Sequence, residues 1–323
     1  MRIVLCYPVE RRHYEQISDV APGTELVDAG QPRIAREILR ADVFCGHAKV
    51  PIDWEAVVRE GRLRWIQSSA AGLDHCLLPA VIQSDITVTS ASGVLADQVA
   101  EHAMALALAL TRSLSVFFRA QQAKEFLRRP TRDLHHSTVG IVGFGGVGRR
   151  IAEVVSSFKT RILATDVFPV DQPAHVDVLW PAVRLSDLLS AVDILFLAAP
   201  LTPATRGMID RSALAKMKEG SLLVNVARGP LVVEADLVEA LESGHLAGAG
   251  LDVTAEEPLA AASRLWDLPN VIITPHVAGQ SRLRIDQMTD FFCDNLGRYL
   301  RGRPLRNLVD KQLGFPVRVA SSS

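Results

Sequence analysis

The feature that most constrains this chain is the stretch VGIVGFGGVGRR, residues 139–150. An apolar run, four glycines within residues 143–148 and then the helix-compatible VGRRIAEVVSSF follow one another without a break. Glycines spaced at Gly143, Gly145 and Gly148 let a strand turn sharply into a helix and leave the backbone open to close approach. The helix N-terminus then presents unpaired N–H groups and a favourable dipole to an anion such as a pyrophosphate. The segment Gly143, Gly145, Gly146, Val147 and Gly148 is therefore the expected phosphate cradle of a dinucleotide site.

The next apolar run, RILATD, ends at Asp166, 18 residues beyond Gly148. A carboxylate there is placed to accept hydrogen bonds from an adenosine ribose and to repel a ribose phosphate. The residues that follow, VFPVDQ, bring no arginine. The expected cofactor is NAD.

The same alternation of apolar and amphipathic runs extends over the whole chain. Strands are predicted at RIVLCY, TELVDA, DVFCG, RWIQSS and ITVTSA, and again at TVGIVGF, RILATD, DILFLAAP, SLLVNVA, AGAGLDV and VIITPH. Between them run helical stretches such as PRIAREILR, with apolar positions three and four apart. Such a βαβ series implies mainly parallel sheets covered by helices on both faces. At 323 residues the chain exceeds what one core usually organises, so two domains are expected. From about residue 99 to 119 a single long helix, QVAEHAMALALALTRSLSVFF, is predicted to bridge them. A last helix over SRLRIDQMTDFFCDNLGRYL is read as returning to the first domain, ahead of a polar tail ending in Ser321, Ser322 and Ser323.

Composition excludes several function classes. Hydrophobic residues make up 48%, charged residues 22% and the net charge is −1, so nothing suggests a nucleic-acid partner. The most lipid-like run, AMALALAL, is far short of a bilayer span and reads as a buried helix. No secretory signal is read at the N-terminus, and a cytoplasmic location is expected. Cys6, Cys45, Cys76 and Cys293 are scattered without C-x-x-C spacing. They read as reduced packing residues, and neither Cys45 with His47 nor His75 with Cys76 makes a metal site.

Three later segments each lie just past a predicted strand: VNVARGPLV with Arg228, AGAGLDVTAEEPL with Asp252 and Glu257, and VIITPHVAGQS with His276. The carboxyl ends of the strands form the ligand crevice of a doubly wound sheet, so an arginine, a carboxylate and a histidine emerging there can converge. Such a set can hold an anionic group, polarise a carbonyl and move a proton.

These motifs, with QSSAAGLDH, LADQVAEHAMALAL and PLTPATRGMI, occur in one order over nearly the whole chain. Together they resemble the NAD-dependent D-isomer-specific 2-hydroxyacid dehydrogenase family. The resemblance implies an α/β protein of two doubly wound parallel-sheet domains, a Rossmann coenzyme domain (99–285) inserted into a flavodoxin-like substrate domain (1–98 and 286–323). It implies reversible hydride transfer between NAD(H) and a D-2-hydroxy acid/2-oxo acid pair, usually in a homodimer assembled through the coenzyme domains.

Carried over residue by residue, it makes Arg228 the binder of carboxylate and carbonyl, Glu257 the partner of the histidine and His276 the general acid/base. The backbone of Ala70, Ala71 and Gly72 would receive the substrate carboxylate. Val226 and Ala227 would line the cofactor, with Asp252 near the nicotinamide carboxamide. Positions 45–50, CGHAKV, would sit near the substrate side chain. Departures from the family pattern are Ala199 before PLT, VAGQS after His276 and the lack of tryptophan between Arg112 and His136. Two other readings share the residues: an NAD(H)-sensing interaction protein like the C-terminal-binding corepressors, and a phosphite-type dehydrogenase. Glutamate at position 257 argues against the formate enzymes, which usually carry glutamine there.

Overall fold

The computed structural model describes residues 1–317; the serine tail lies outside the described residues. The chain divides into two compact units, Met1–Leu95 with residues 281 to 317, and Ala96–Gln280.

The first unit opens as a βα series: β1 Arg2–Cys6, α1 Arg11–Val20, β2 Glu25–Asp28, α2 Gly30–Glu37, β3 Val43–Gly46, α3 Trp54–Glu60, β4 Trp65–Ser68, α4 Pro79–Gln83 and β5 Thr87–Thr89. All five strands are parallel, in the order β2-β1-β3-β4-β5. Strands β1, β3 and β4 are buried on both faces; β1 and β3 therefore read as continuous apolar runs, while β4 ends in the buried polar pair Gln67 and Ser68. Val4, Phe44 and Ile66 pack on one side; Ile3, Leu5, Val43 and Trp65 pack on the other.

The second unit begins with α5 Ala96–Thr111 and α6 Leu114–Gln122. Here the expectation of one long helix is wrong. The chain breaks at Arg112 and Ser113, Ser113 takes φ 56°, and α6 leaves at 68° to α5. The cause lies in the hydrogen bonding: the Thr111 carbonyl accepts the Arg132 N–H at 2.9 Å, and the Ser113 N–H turns back to Leu110 at 3.0 Å. Among the described residues no single helix is long and apolar enough to cross a membrane. Ala103, Met104, Leu106 and Ala107 of α5 are buried in the core of the second unit.

That unit continues with β6 Thr138–Val142, α7 Gly146–Ser156, β7 Arg161–Asp166, β8 Val178–Pro181, α8 Leu185–Ala191 and β9 Ile194–Leu197. It finishes with α9 Arg211–Lys216, β10 Ser221–Asn225, α10 Glu234–Glu242, β11 Leu246–Leu251 and β12 Val271–Ile273. Strand β8, VLWP, is an edge strand that the apolar pattern did not reveal. The seven strands are parallel in the order β12-β11-β10-β9-β6-β7-β8, the doubly wound Rossmann order with its reversal between β6 and β9. The chain then returns to the first unit as α11 Arg284–Leu300, packed on α1, followed by the short antiparallel pair β13 Val309–Asp310 and β14 Phe315–Pro316.

Candidate active site

The glycine turn sits where the strand order of the second sheet reverses. Gly143 has φ +89°, and a Cβ there would lie 2.6 Å from the Ala199 backbone after β9. A Cβ on Gly148 would lie 2.1 Å from the Gly143 carbonyl, so α7 can leave β6 this steeply only with glycine at both positions. Beside Gly145, in contrast, nothing lies within 4 Å of a Cβ position. The turn is closed against its own scaffold and open on the side where α7 begins, as a backbone cradle for an anion requires.

Asp166 stands at the end of β7, partly exposed. Its Oδ2 accepts the Phe144 N–H at 2.6 Å and its Oδ1 the Phe168 N–H at 2.9 Å, which ties the acidic strand end to the glycine turn. An arginine does reach this loop, from α7 and not from the residues after Asp166. Arg149 donates to the carbonyls of Phe144 (3.1 Å), Val170 (2.6 Å) and Asp171 (2.6 Å), and lies over the Phe144 ring. Immediately after the last cradle glycine, Gly148, it fastens the loop to the helix, a role that no linear motif announces.

At the other side of the reversal, β10 and β11 deliver the remaining residues. Buried Asn225 at the end of β10 shapes the next turn: its Oδ1 accepts the Ala227 N–H and its Nδ2 donates to the Arg228 carbonyl, both at 3.0 Å. Val226, Ala227 and Arg228 are thereby held half-buried. Arg228 Nη1 donates to the Ala227 carbonyl at 2.8 Å. Gly229 lies so close to the segment after β11 that a Cβ would fall 1.8 Å from the Thr254 carbonyl. Adjacent strands and this contact bring the Arg228 turn against the turn that carries Glu257.

His276 Nδ1 and Glu257 Oε2 are 2.8 Å apart, with the side chains 46% and 41% exposed. A histidine that donates from Nδ1 to a carboxylate presents Nε2 as its other functional nitrogen. His276 has φ +53°, a conformation that most residues avoid. What holds it is Asp252, 1% exposed at the end of β11. The Asp252 carbonyl accepts the His276 N–H at 2.8 Å. Its Oδ1 accepts the Thr274 hydroxyl at 2.6 Å and the Val277 N–H at 2.9 Å, and its Oδ2 accepts the Ala278 N–H at 2.9 Å. His102 of α5 completes the cluster, with Nε2 2.8 Å from the Thr274 hydroxyl. Asp252 and His102 thus form the rigid support behind the histidine turn, a role the sequence motifs did not disclose.

In the first unit, Ala70, Ala71 and Gly72 form the turn after β4. Ser68 Oγ lies 3.1 Å from both the Ala70 N–H and the Ala70 carbonyl, and the Ala70 carbonyl also accepts the Ala91 N–H at 3.0 Å.

Residues 104–278 match the family model of the D-isomer specific 2-hydroxyacid dehydrogenase NAD binding domain. The chain belongs to the D-isomer specific 2-hydroxyacid dehydrogenases. It is 35% identical to a glycerate dehydrogenase of Methylorubrum extorquens over 81% of this chain and 83% of that one. An (S)-sulfolactate dehydrogenase of Chromohalobacter salexigens is 36% identical over 77% of this chain and 81% of its own. Among solved structures, the NADPH-dependent glyoxylate/hydroxypyruvate reductase of Sinorhizobium meliloti, determined with NADP and sulfate, superposes with a TM-score of 0.82 at 27% identity, covering 97% of this chain and 99% of that one. As a member of this dehydrogenase family the chain is an oxidoreductase with a nucleotide-binding Rossmann domain.

Proposed function

We propose that this 2-hydroxyacid dehydrogenase catalyses reversible hydride transfer between NAD(H) and a D-2-hydroxy acid/2-oxo acid pair. The observation that carries this reading is the 2.8 Å contact between His276 Nδ1 and Glu257, on a turn that Asp252 fixes. In reduction, His276 delivers the proton to the carbonyl oxygen, and Glu257 stabilises its imidazolium. In oxidation, the same nitrogen takes the proton back. Arg228 binds the substrate carboxylate and draws charge from the carbonyl oxygen, where a planar guanidinium acts more strongly than water. The backbone of Ala70, Ala71 and Gly72 receives the carboxylate.

The open side of Gly145 and the start of α7 fit a dinucleotide, with Gly143, Gly145, Gly146, Val147 and Gly148 at its pyrophosphate and Val226, Ala227 and Asp252 on the nicotinamide side. A nicotinamide bound there supplies or receives the hydride. Asp166 supports NAD over NADP, although the reductase from Sinorhizobium meliloti was solved with NADP. A 2′-phosphate would meet the Asp166 carboxylate, while Arg149 is engaged with carbonyl oxygens.

The functional form is a homodimer. Phe118, Phe126 and Leu127 project from the coenzyme unit, with Phe126 91% exposed, and a second copy of this unit is the partner that covers them.

The test is NADH oxidation over a panel of 2-oxo acids, with NADPH and His276→Ala as controls. Turnover that prefers NADH and falls by about 10²–10⁴-fold in the variant supports the reading. Near-normal turnover in His276→Ala removes the histidine from the mechanism.

A further inference from the structure

Arg149 lies half-buried in the first turn of α7, and its guanidinium is shared among backbone carbonyls of two separate segments. Nε donates to Phe144 in the glycine turn at 3.1 Å, while Nη1 and Nη2 donate to Asp171 and Val170 in the loop after β7, both at 2.6 Å. Its Cζ stands 4.7 Å from the centre of the Phe144 ring, which is buried in the core of the second unit. A planar fork can serve several fixed acceptors at once, which a single ammonium group cannot.

The two segments it joins are the two that hold the Asp166 carboxylate. Phe144 gives its N–H to Asp166 Oδ2 and its carbonyl to Arg149, and Phe168, in the loop, gives its N–H to Asp166 Oδ1. The contacts thus close a ring from Asp166 through Phe168 and Val170 to Arg149, and back through Phe144. The loop is braced at its far end as well: the Val170 N–H donates to the Phe168 carbonyl at 2.8 Å, and Gln172 Nε2 donates to the carbonyl of buried Val176 at 2.8 Å. Each Asp166 oxygen has two lone pairs, so one on each is left for a ribose hydroxyl. The carboxylate cannot turn aside without giving up backbone hydrogen bonds, and Arg149 keeps the loop from following it.

We infer that Arg149 is a positioning residue that sets cofactor selectivity: by fixing Asp166 and its loop, it denies a 2′-phosphate the space and the charge relief it would need. The inference rests on the proposed dinucleotide site and names the residue that makes its acidic strand end unyielding.

Charge alone predicts the opposite effect. A cation beside the adenosine end attracts a phosphate, so its removal would weaken NADPH more than NADH. Positioning predicts the reverse, because a released loop lets the Asp166 carboxylate swing away. NADH then loses a well-placed acceptor, and NADPH loses a repulsion. Lysine in place of Arg149 keeps the charge but loses the fork, which separates the two accounts.

The experiment measures Kd for NADH and for NADPH by fluorescence titration of the full-length wild type, Arg149→Met, Arg149→Lys, Asp166→Ser and the double variant Asp166→Ser/Arg149→Met. The wild type is expected to bind NADH tighter than NADPH by about tenfold or more, and that ratio to fall by about tenfold in Arg149→Met, the worth of one charge-assisted contact. Arg149→Lys is expected to lose most of the same selectivity. In the Asp166→Ser background, Arg149→Met should change the ratio by less than about threefold, since the residue acts through Asp166. A ratio that widens in Arg149→Met, or that stays at the wild-type value in either single variant because both cofactors weaken alike, overturns the inference and leaves the NAD reading intact. So does a full effect of Arg149→Met in the absence of Asp166. Should Arg149→Met fail to fold by circular dichroism, Arg149→Lys decides. A wild type that binds NADPH as tightly as NADH overturns the NAD reading and this inference together. Binding is read without a 2-oxo acid, so failure of the proposed reduction leaves the test standing.

Discussion

Asp252→Asn separates support of the histidine turn from the chemistry of the histidine itself. The wild-type carboxylate accepts three hydrogen bonds, from Thr274, Val277 and Ala278, at 2.6–2.9 Å and out of contact with solvent. An amide of the same shape offers one oxygen. If that oxygen takes the Oδ1 position, the Ala278 N–H faces an NH₂ group and is stranded, at a cost of about 1–3 kcal/mol. The two bonds that remain pass from a charged to a neutral acceptor and lose about half their strength. A total of about 3 kcal/mol corresponds to roughly a 10²-fold shift in a local equilibrium. That shift falls on the turn which keeps His276 at positive φ. Turnover with NADH and a good 2-oxo acid should therefore drop by about 10²-fold. Turnover within about threefold of wild type, in a variant whose fold is intact by circular dichroism, would refute this account of Asp252.

Asp166→Ser should raise KM for NADH by about tenfold and narrow the preference over NADPH, since it removes one charge-assisted contact and one source of repulsion; steady-state kinetics with both cofactors checks this. On the proposed homodimer, the wild type should run as a dimer and Phe126→Asp as a monomer, read by light scattering after size exclusion. Glu37 is held below the ordinary carboxylate range by its hydrogen bonds with Arg2 and Arg36. Its contribution to stability is complete above the unfolded carboxylate value, about 4.3, and is lost as pH falls through the lower folded value. Glu37→Gln should cost about 2 kcal/mol at neutral pH in urea unfolding, and the gap to wild type should close in acid.

The parallel architecture was legible because strands buried on both faces leave uninterrupted apolar runs, and because the glycine turn admits few structures other than strand-to-helix. The position of Arg228, Glu257 and His276 in the turns after β10, β11 and β12 could be read for the same reason, since each lies a few residues beyond such a run. What stayed hidden depends on partners distant in the chain. The break between α5 and α6 follows from Arg132 capturing the Thr111 carbonyl, which the helical periodicity of LALALTRSLSVFF cannot report. Strand β8 is a partly exposed edge with a proline at its end, so it lacks the buried run that marked the others. The support given by Asp252 and His102, and the reach of Arg149 to Val170 and Asp171, exist only once separate elements are packed.

The first unit is built from both ends of the chain, and this has a cost during synthesis. Ile3, Leu5, Val43 and Trp65 line a face that is completed by Phe292, Cys293 and Leu296 of α11. At about 5–20 residues per second, the ribosome delivers α11 roughly 10–40 s after Trp65. Through that interval the nascent sheet has one apolar face without its final cover, while the whole second unit emerges and can fold. Chaperone dependence in the cell should therefore track the rate at which residues 96 to 280 are translated, and a circular permutant that brings α11 next to β1 should shorten the exposure.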